Sequence, residues 1–385
     1  MPIESAATLK KEVKLVLKQQ GYSVKRNGLF LLENNEREER RKVHEIAKAE
    51  RVKEKENFLR RNLKLIKNHL IDGKKLEIEK IDPVLIEVEP ESEEERLFRW
   101  WNIIWWSLPY ERAYGRQMRF IVWDKYHDAP IGLIGLQSPI LSWGPRDKYL
   151  GIAPDERDFW VNQSLSAQRI GALPPYNDIL GGKLVSLLMT ADIVRQKFRK
   201  KYRNQKTVLE KRILPSNLLF ITTTGAYGKS SVYNRLRFKD ETVAKFIGYT
   251  QGNGTFHIPN ALYEDLVKYL EKRKYDVRRG YGSGPSRKLR LIDLSLQLLG
   301  FANGISHGIK RALYLFPMVH NLEDVIQKGE RPEWTDRNIE EMTAFWKEKW
   351  ALRRAENNKS YLEFDSEDFA TQTLLDIEKY KELLS

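Results

Sequence analysis

Three short stretches hold residues whose types and spacing could do chemistry. In "ILGGKLVSLLMTADIV", Gly181, Gly182 and Lys183 stand directly before an amphipathic helical pattern. Glycines at a helix start let a phosphate approach free N–H groups and the positive end of the macrodipole, so the turn could cradle a pyrophosphate. It also reads as a plain loop ending in a helix, because it lacks the glycine spacing of a P-loop or a dinucleotide fingerprint. A second loop, "TTTGAYGKSS", ends in the Gly-Lys-Ser of a P-loop, but Thr223 stands where that motif needs its first glycine. Ser230 and Ser231 there suit helix capping better than nucleophilic attack. In "WDKYHD", Asp124, His127 and Asp128 could ligate a divalent metal or move protons, and Asp and His are also ordinary turn residues. His257, His307 and His320 are isolated and read as structural; no metal site is assigned.

Composition narrows these readings. The 385-residue chain is 41% hydrophobic, enough for a real core. It has no cysteine, which excludes disulfides, thiolate catalysis and cysteine-held metal clusters. With 67 Lys and Arg against 53 Asp and Glu the formal charge is +14, which favours a polyanionic partner. No stretch of about 18 apolar residues offers a membrane span, and the first residues lack the apolar centre of a signal peptide. A cytoplasmic, soluble protein is expected, with no membrane contact.

The elements that must position the candidates follow from periodicity and punctuation. A short helix is expected from Ser5 to Gln20, then an extended "LFLLE". The charge-rich run from Glu33 to His69 has no Gly or Pro and reads as one long helix. An acidic, proline-marked run puts a module boundary near Glu95. The tryptophans at 100, 101, 105 and 106 lie on a helix and read mainly as packing rather than base stacking. "RFIVW" and "PIGLIGLQS" flank a turn and form an antiparallel hairpin. Further strands are expected in "DKYLGI", "RDFWVNQSLSAQRI", "NLLFITTTG", "AKFIGYTQ" and "TFHIP". A helix is expected from Gly182 to Tyr202, and a short one in "KSSVYNRL"; the chain from Tyr281 to Pro317 and the tail from Arg337 read as largely helical. The division is 1–95 helical with an acidic linker, 96–270 an α/β core, and 271–385 a basic loop with helices.

Two stretches concentrate cations with interleaved tyrosines: "RQKFRKKYRNQKTVLEKR" and "EKRKYDVRRGYGSGPSRKLR". Arg278, Arg279, Arg287, Lys288 and Arg290 could contact phosphates, with Tyr281 as a stacking surface, so nucleic acid, DNA in particular, is the expected partner. Solvated surface charge is the competing reading.

The order of hairpin, long strand, glycine turn with helix, strand and "VYNRLRF" resembles the GNAT N-acyltransferase fold. That resemblance implies a mixed, mainly antiparallel sheet with helices on its faces. It also implies a coenzyme A-like donor on Gly181, Gly182 and Lys183, and Tyr233 as the acid that protonates the departing thiolate. The turn here reads "NDILGGKL", without the Gln or Arg that usually leads that family's loop. "YGKSSVYNRL" also resembles the Mom group of DNA base-modifying enzymes, which implies a nucleobase acceptor. Over a longer span, "WWSLPYERAYGRQMRFIVWDKYHDAPIGLIGLQSP", "ILGGKLVSLLMTADIV" and "IKRALYLFPMVHNLEDVI" resemble the DruA family of the Druantia anti-phage defence system. A defence role beside a helicase-like partner is what that resemblance implies. An active acyl-type transferase and a non-enzymatic recruiting scaffold stand as alternatives.

Overall fold

Nine consecutive buried residues, Ala129 to Gln137, can be accommodated only in a strand covered on both faces, and this strand lies inside a seven-stranded sheet. The computed structural model describes residues 5–32, 44–106, 115–207, 211–226, 228–251, 257–278, 287–306 and 310–384. Along the chain the first elements are α1 (Ala6–Gln19), a small hairpin of β1 (Tyr22–Val24) and β2 (Phe30–Leu32), α2 (Glu45–Glu54) and α3 (Glu56–Asn68). Then come β3 (Pro83–Glu87), α4 (Glu93–Ile104), β4 (Gln117–Asp124) and β5 (Ala129–Gln137). Two short helices, α5 (Gly144–Leu150) and α6 (Arg157–Val161), precede β6 (Ser164–Ala172). The helices α7 (Gly181–Leu188) and α8 (Asp192–Tyr202) lead to β7 (Phe220–Thr224), the short pair β8 (Arg237–Phe238) and β9 (Glu241–Thr242), and β10 (Lys245–Tyr249). Two helices, α9 (Asn260–Lys272) and α10 (Arg287–Leu298), separate β10 from β11 (Ala312–Pro317). The tail holds α11 (Leu322–Lys328), α12 (Ile339–Trp346), α13 (Leu352–Asn357) and α14 (Ser366–Glu382).

The sheet order is β10-β11-β7-β6-β5-β4-β3, antiparallel throughout except for β6 and β7, which run parallel. The fold is therefore α/β with a mixed, mainly antiparallel sheet. β4 alternates between two cores: Phe120 and Val122 pack with α7 and the tail, while Ile121 packs with Trp100 and Trp101 of α4. Gly132 makes the sheet–helix contact close. A Cβ there would lie 2.4 Å from the Gly171 carbonyl and 2.5 Å from Val185. No described helix is long and apolar enough to cross a membrane.

The hairpin over 117–137 pairs antiparallel as its sequence predicts, and 164–172 lies beside 220–224 in one sheet. The tryptophan helix is a packing element: Trp100 and Trp101 are buried, and Trp100 donates its indole N–H to the Leu59 carbonyl at 3.0 Å. Several local expectations give way to tertiary packing. The charged helix divides at Lys55, where α2 turns to pack on α4 and α14. The helix expected from Gly182 to Tyr202 also divides, at an extended Ala191. "DKYLGI" is not a strand; it ends α5, stopped by Gly151 at φ 70°. "RDFWV" likewise is helical, so the strand starts only at Ser164. "KSSVYNRL" is a run of turns, with Arg235 in the left-handed region at φ 59°. "ALYLFP", six buried residues read as helix, is the strand β11; a short apolar run has no period that separates the two states. Of "TFHIP", residues 257–259 form no strand and the rest lies outside the described residues. The sheet draws β3 from the expected first region and β11 from the expected third.

Candidate functional site

The glycine turn follows β6 through a single 3-10 turn, Tyr176–Ile179, and a left-handed Leu180 at φ 61°. Gly181 is required by space, since a Cβ would lie 2.5 Å from the Tyr176 carbonyl and 3.0 Å from the Ala172 side chain. Gly182 is not: its Cβ would meet only Val232, at 3.5 Å. Lys183 reaches across to donate to the Val232 carbonyl at 3.2 Å, and its ammonium stands 5.1 Å from the Trp350 ring centre. Burial holds its pKa below the ordinary lysine value. Trp346 donates its indole N–H to the Leu180 carbonyl at 3.1 Å. The chain's own tail and the 231–232 turn thus cover this helix start.

That turn also carries Tyr233, so two segments fifty residues apart in sequence do meet. Ser230 accepts from the backbone N–H groups of Val232 and Tyr233 at 3.3 and 3.4 Å, a capping role. The Tyr233 ring packs edge-on against Tyr314 and Phe316, with centroids 5.1 and 5.6 Å away. Thr223 of β7 donates to the Ala167 carbonyl at 2.9 Å. Parallel pairing between β6 and β7 ends at Ser166 and Thr222, so this bond bridges the strands just where they part. Burial pushes the Tyr233 phenol pKa well above its ordinary value.

At the β4–β5 corner, Asp124 is wholly buried. Its Oδ1 accepts from the backbone of Asp82 and Tyr126 at 3.0 and 3.1 Å. Its Oδ2 accepts from His127 Nδ1 at 2.6 Å and from the Tyr176 hydroxyl at 2.9 Å. The other imidazole nitrogen, Nε2, accepts the Glu77 N–H at 3.0 Å, which fixes the proton on Nδ1. With both ring nitrogens engaged, the pair pins the hairpin corner to the segment before β3. Asp128 departs from the trio and faces His69 at 3.6 Å. No three His, Asp or Glu side chains converge on a metal-sized site among the described residues. Tyr176, which completes this cluster, was not among the candidates; it lies 52 residues from Asp124 and carries no local signal. His257 pairs with Glu50 at 2.8 Å and His320 with Glu241 at 3.1 Å.

A family model described as Druantia protein DruA matches residues 34–328 of this chain. A curated relative, Druantia protein DruA of Escherichia coli (strain UMEA 4076-1), is 33% identical over 361 residues, covering 92% of this chain and 89% of the relative. The chain belongs to the DruA family. No solved structure matches it.

In this DruA-family chain the two basic stretches divide between internal contacts and free charge. Lys197 and Lys201 of α8 hold Glu87 at 3.1 and 3.2 Å, and Arg212 pairs with Asp158. Arg199, Lys200, Arg203, Lys206 and Lys211 are exposed. In the second stretch, Arg287 donates to the Val277 carbonyl at 2.7 Å, Lys288 to Asn260 at 3.2 Å, and Arg290 to the Asp276 carbonyl at 3.4 Å. These three anchor α10 to the chain before it, while Arg278 is exposed. Arg279, Tyr281 and His307 lie outside the described residues.

Proposed function

We propose that this protein is a component of a Druantia-type anti-phage defence system, that it engages nucleic acid through exposed cations, and that it works beside a helicase-like partner. Family membership supports the defence role. The nucleic-acid part rests on one observation: Arg199, Lys200, Arg203, Lys206 and Lys211 form a run of exposed cations beside the paired ones. Phosphate contacts release counterions, so binding must weaken steeply with salt. Fluorescence anisotropy of the full chain with labelled duplex and single strands tests this. Binding at 50 mM salt that fades by about 10³-fold or more toward 200 mM is expected for six or more contacts. No binding to any strand at low salt leaves the recruiting scaffold as the better reading.

A second reading, an acyl-type transferase with a GNAT-like core, is favoured by the parting of β6 and β7 and by the contact of Lys183 with the turn that carries Tyr233. In it, Gly181, Gly182 and Lys183 would meet the pyrophosphate of a coenzyme A-like donor. Tyr233, kept protonated by burial, would give its proton to the leaving thiolate. Lys183 would first have to leave the Val232 carbonyl. Fold resemblance carries no activity by itself. Titration calorimetry with acetyl-coenzyme A decides: heat that vanishes on Lys183→Ala supports it, and no heat at millimolar donor ends it.

A further inference from the structure

Between β10 and β11, the helices α9 and α10 have a core of their own, separate from that of the sheet. Ile258, Leu262, Leu266, Tyr269 and Leu270 of the α9 region, with Leu291, Ile292 and Leu296 of α10, share a separate core with Leu9, Val13 and Leu17 of α1. The β1–β2 hairpin closes it: Asn303 donates to the Phe30 carbonyl at 3.1 Å and accepts the Phe30 N–H at 3.2 Å. Gly28 sits so close that a Cβ would fall 1.9 Å from the Gly300 carbonyl. Residues 5–32 and, far along the chain, 257–278 and 287–306 therefore build one satellite body.

Charge is concentrated there. The 70 described residues hold fourteen Lys and Arg against six Asp and Glu, an excess of eight beside the whole chain's +14. Several of the acids are engaged locally: Asp265 with Lys268, Asp276 with the Arg278 N–H, and Asp293 with the Ile305 N–H. Of the cations of α1, Lys10 stands 5.9 Å from the Phe301 ring centre, and the other three have no such contact among the described residues. Leu9, Val13 and Leu17 turn inward, which leaves Lys11, Lys14 and Lys18 exposed on the opposite face at spacings of three and four residues. Lys25 and Arg26 are exposed at the hairpin turn. None of these five makes an ion pair or side-chain hydrogen bond among the described residues.

The aromatic rings point the other way. Tyr22, Phe30, Tyr269 and Phe301 are buried in the satellite core, and of its described aromatics only Tyr275 is among the large exposed side chains. Single-strand binders need a series of exposed rings on which bases stack. A lysine row without rings suits phosphates held in the regular spacing of a duplex. At about 1.5 Å per residue, Lys11 to Lys18 spans about 10 Å, the axial length of about three phosphates of one strand at 3.4 Å each.

We propose that the satellite is a duplex-binding module of this protein, with Lys11, Lys14 and Lys18 of α1 gripping the phosphate backbone and Lys25 and Arg26 extending the contact. This rests on the nucleic-acid reading above and adds the module, its residues and the double-stranded form of the ligand. The α1 row lies outside the residues that the family model matches, 34–328, so it is a feature of this chain rather than of the family description.

The test uses the full chain and three variants. One carries Lys11→Gln, Lys14→Gln and Lys18→Gln; one carries Lys→Arg at the same positions; one carries Lys200→Gln, Lys206→Gln and Lys211→Gln. Each is titrated from 50 to 300 mM salt with a duplex DNA, the matching duplex RNA and single strands. The α1 glutamine variant should lose on the order of tenfold affinity for duplex near 150 mM salt and about two to three units of salt slope. The arginine variant should keep both, which separates lost charge from lost fold. Wild-type affinity and slope in the glutamine variant, with loss only in the α8-side variant, overturn the module while nucleic-acid binding stands. Preference of the wild type for single strands overturns the duplex assignment. Failure of the wild type to bind any strand removes the nucleic-acid reading itself, and this proposal with it. The DNA and RNA arms say which duplex is held.

Discussion

At the β4–β5 corner Asp124 accepts four hydrogen bonds within a buried cluster, whereas on α1 three lysines face solvent with no partner among the described residues. Both regions group chemically capable side chains. The structure sorts them by direction. Polar atoms at the corner satisfy one another and one backbone segment, so their chemistry holds the fold. Those of α1 face water and counterions, so their charge stays available to a polyanionic partner. A cluster of titratable groups is thus a site candidate only to the extent that its lone pairs and protons remain available.

The largest effect should come from emptying the closed cluster. Asp124→Ala strands two backbone N–H groups, the His127 Nδ1 proton and the Tyr176 hydroxyl in a dry environment, a loss of about 3–5 kcal/mol. Urea denaturation should show a much lower midpoint with nucleic-acid affinity of the remaining folded protein unchanged. A stable variant with altered binding or catalysis would move Asp124 to the outward class.

Next in size is a buried cation inside the helical layer. Lys48 of α2 donates to the Ile104 carbonyl at 2.8 Å, and burial pulls its pKa from 10.5 to about 8. Below about 8 both folded and unfolded chains carry the proton, and the cost of burying the charge is complete. Between about 8 and 10.5 the unfolded chain binds the proton and the folded chain does not, so stability rises with pH across that window. Lys48→Met should therefore stabilise the protein by about 2–3 kcal/mol at pH 7, reduced by the lost carbonyl contact. The advantage over wild type should shrink toward pH 10.5. An advantage that stays constant with pH would mean that folding leaves the Lys48 pKa unchanged, so that burial does not penalise its charge.

The sequence is uneven as a guide to the two classes. Local pattern reaches far: the 117–137 hairpin follows from two apolar runs around a turn, and α1 from its leucine and valine spacing. It falls short wherever a remote element decides. The division at Lys55 has no breaker residue, because α4 and α14 set it by packing. Tyr176 and Trp350 complete the corner and the glycine turn from 52 and 167 positions away. The satellite is assembled from two pieces of chain 225 positions apart, from 32 to 257, and no window of sequence spans that gap. Even the basic stretches, legible as charge, did not show that Arg287, Lys288 and Arg290 also tie α10 to the chain before it.

The smallest effects bear on the glycine turn, which lies between the two classes. If it is purely structural, its two glycines must behave differently. Gly181→Ala drives a methyl group to 2.5 Å from the Tyr176 carbonyl and should destabilise by about 2 kcal/mol, the scale of an overpacked core. Gly182→Ala meets Val232 at an ordinary 3.5 Å, and alanine is the better helix former, so stability should hold or rise by up to about 0.5 kcal/mol. Thermal melts of the two variants give the contrast directly. Calorimetry with acetyl-coenzyme A then sharpens it. Loss of donor binding in the stable Gly182→Ala variant means that a phosphate needs the bare backbone there, which places the turn with the outward class. Equal destabilisation by both substitutions would instead mean that the helix start is packed more tightly than Val232 allows, and the turn would join Asp124 among the closed contacts.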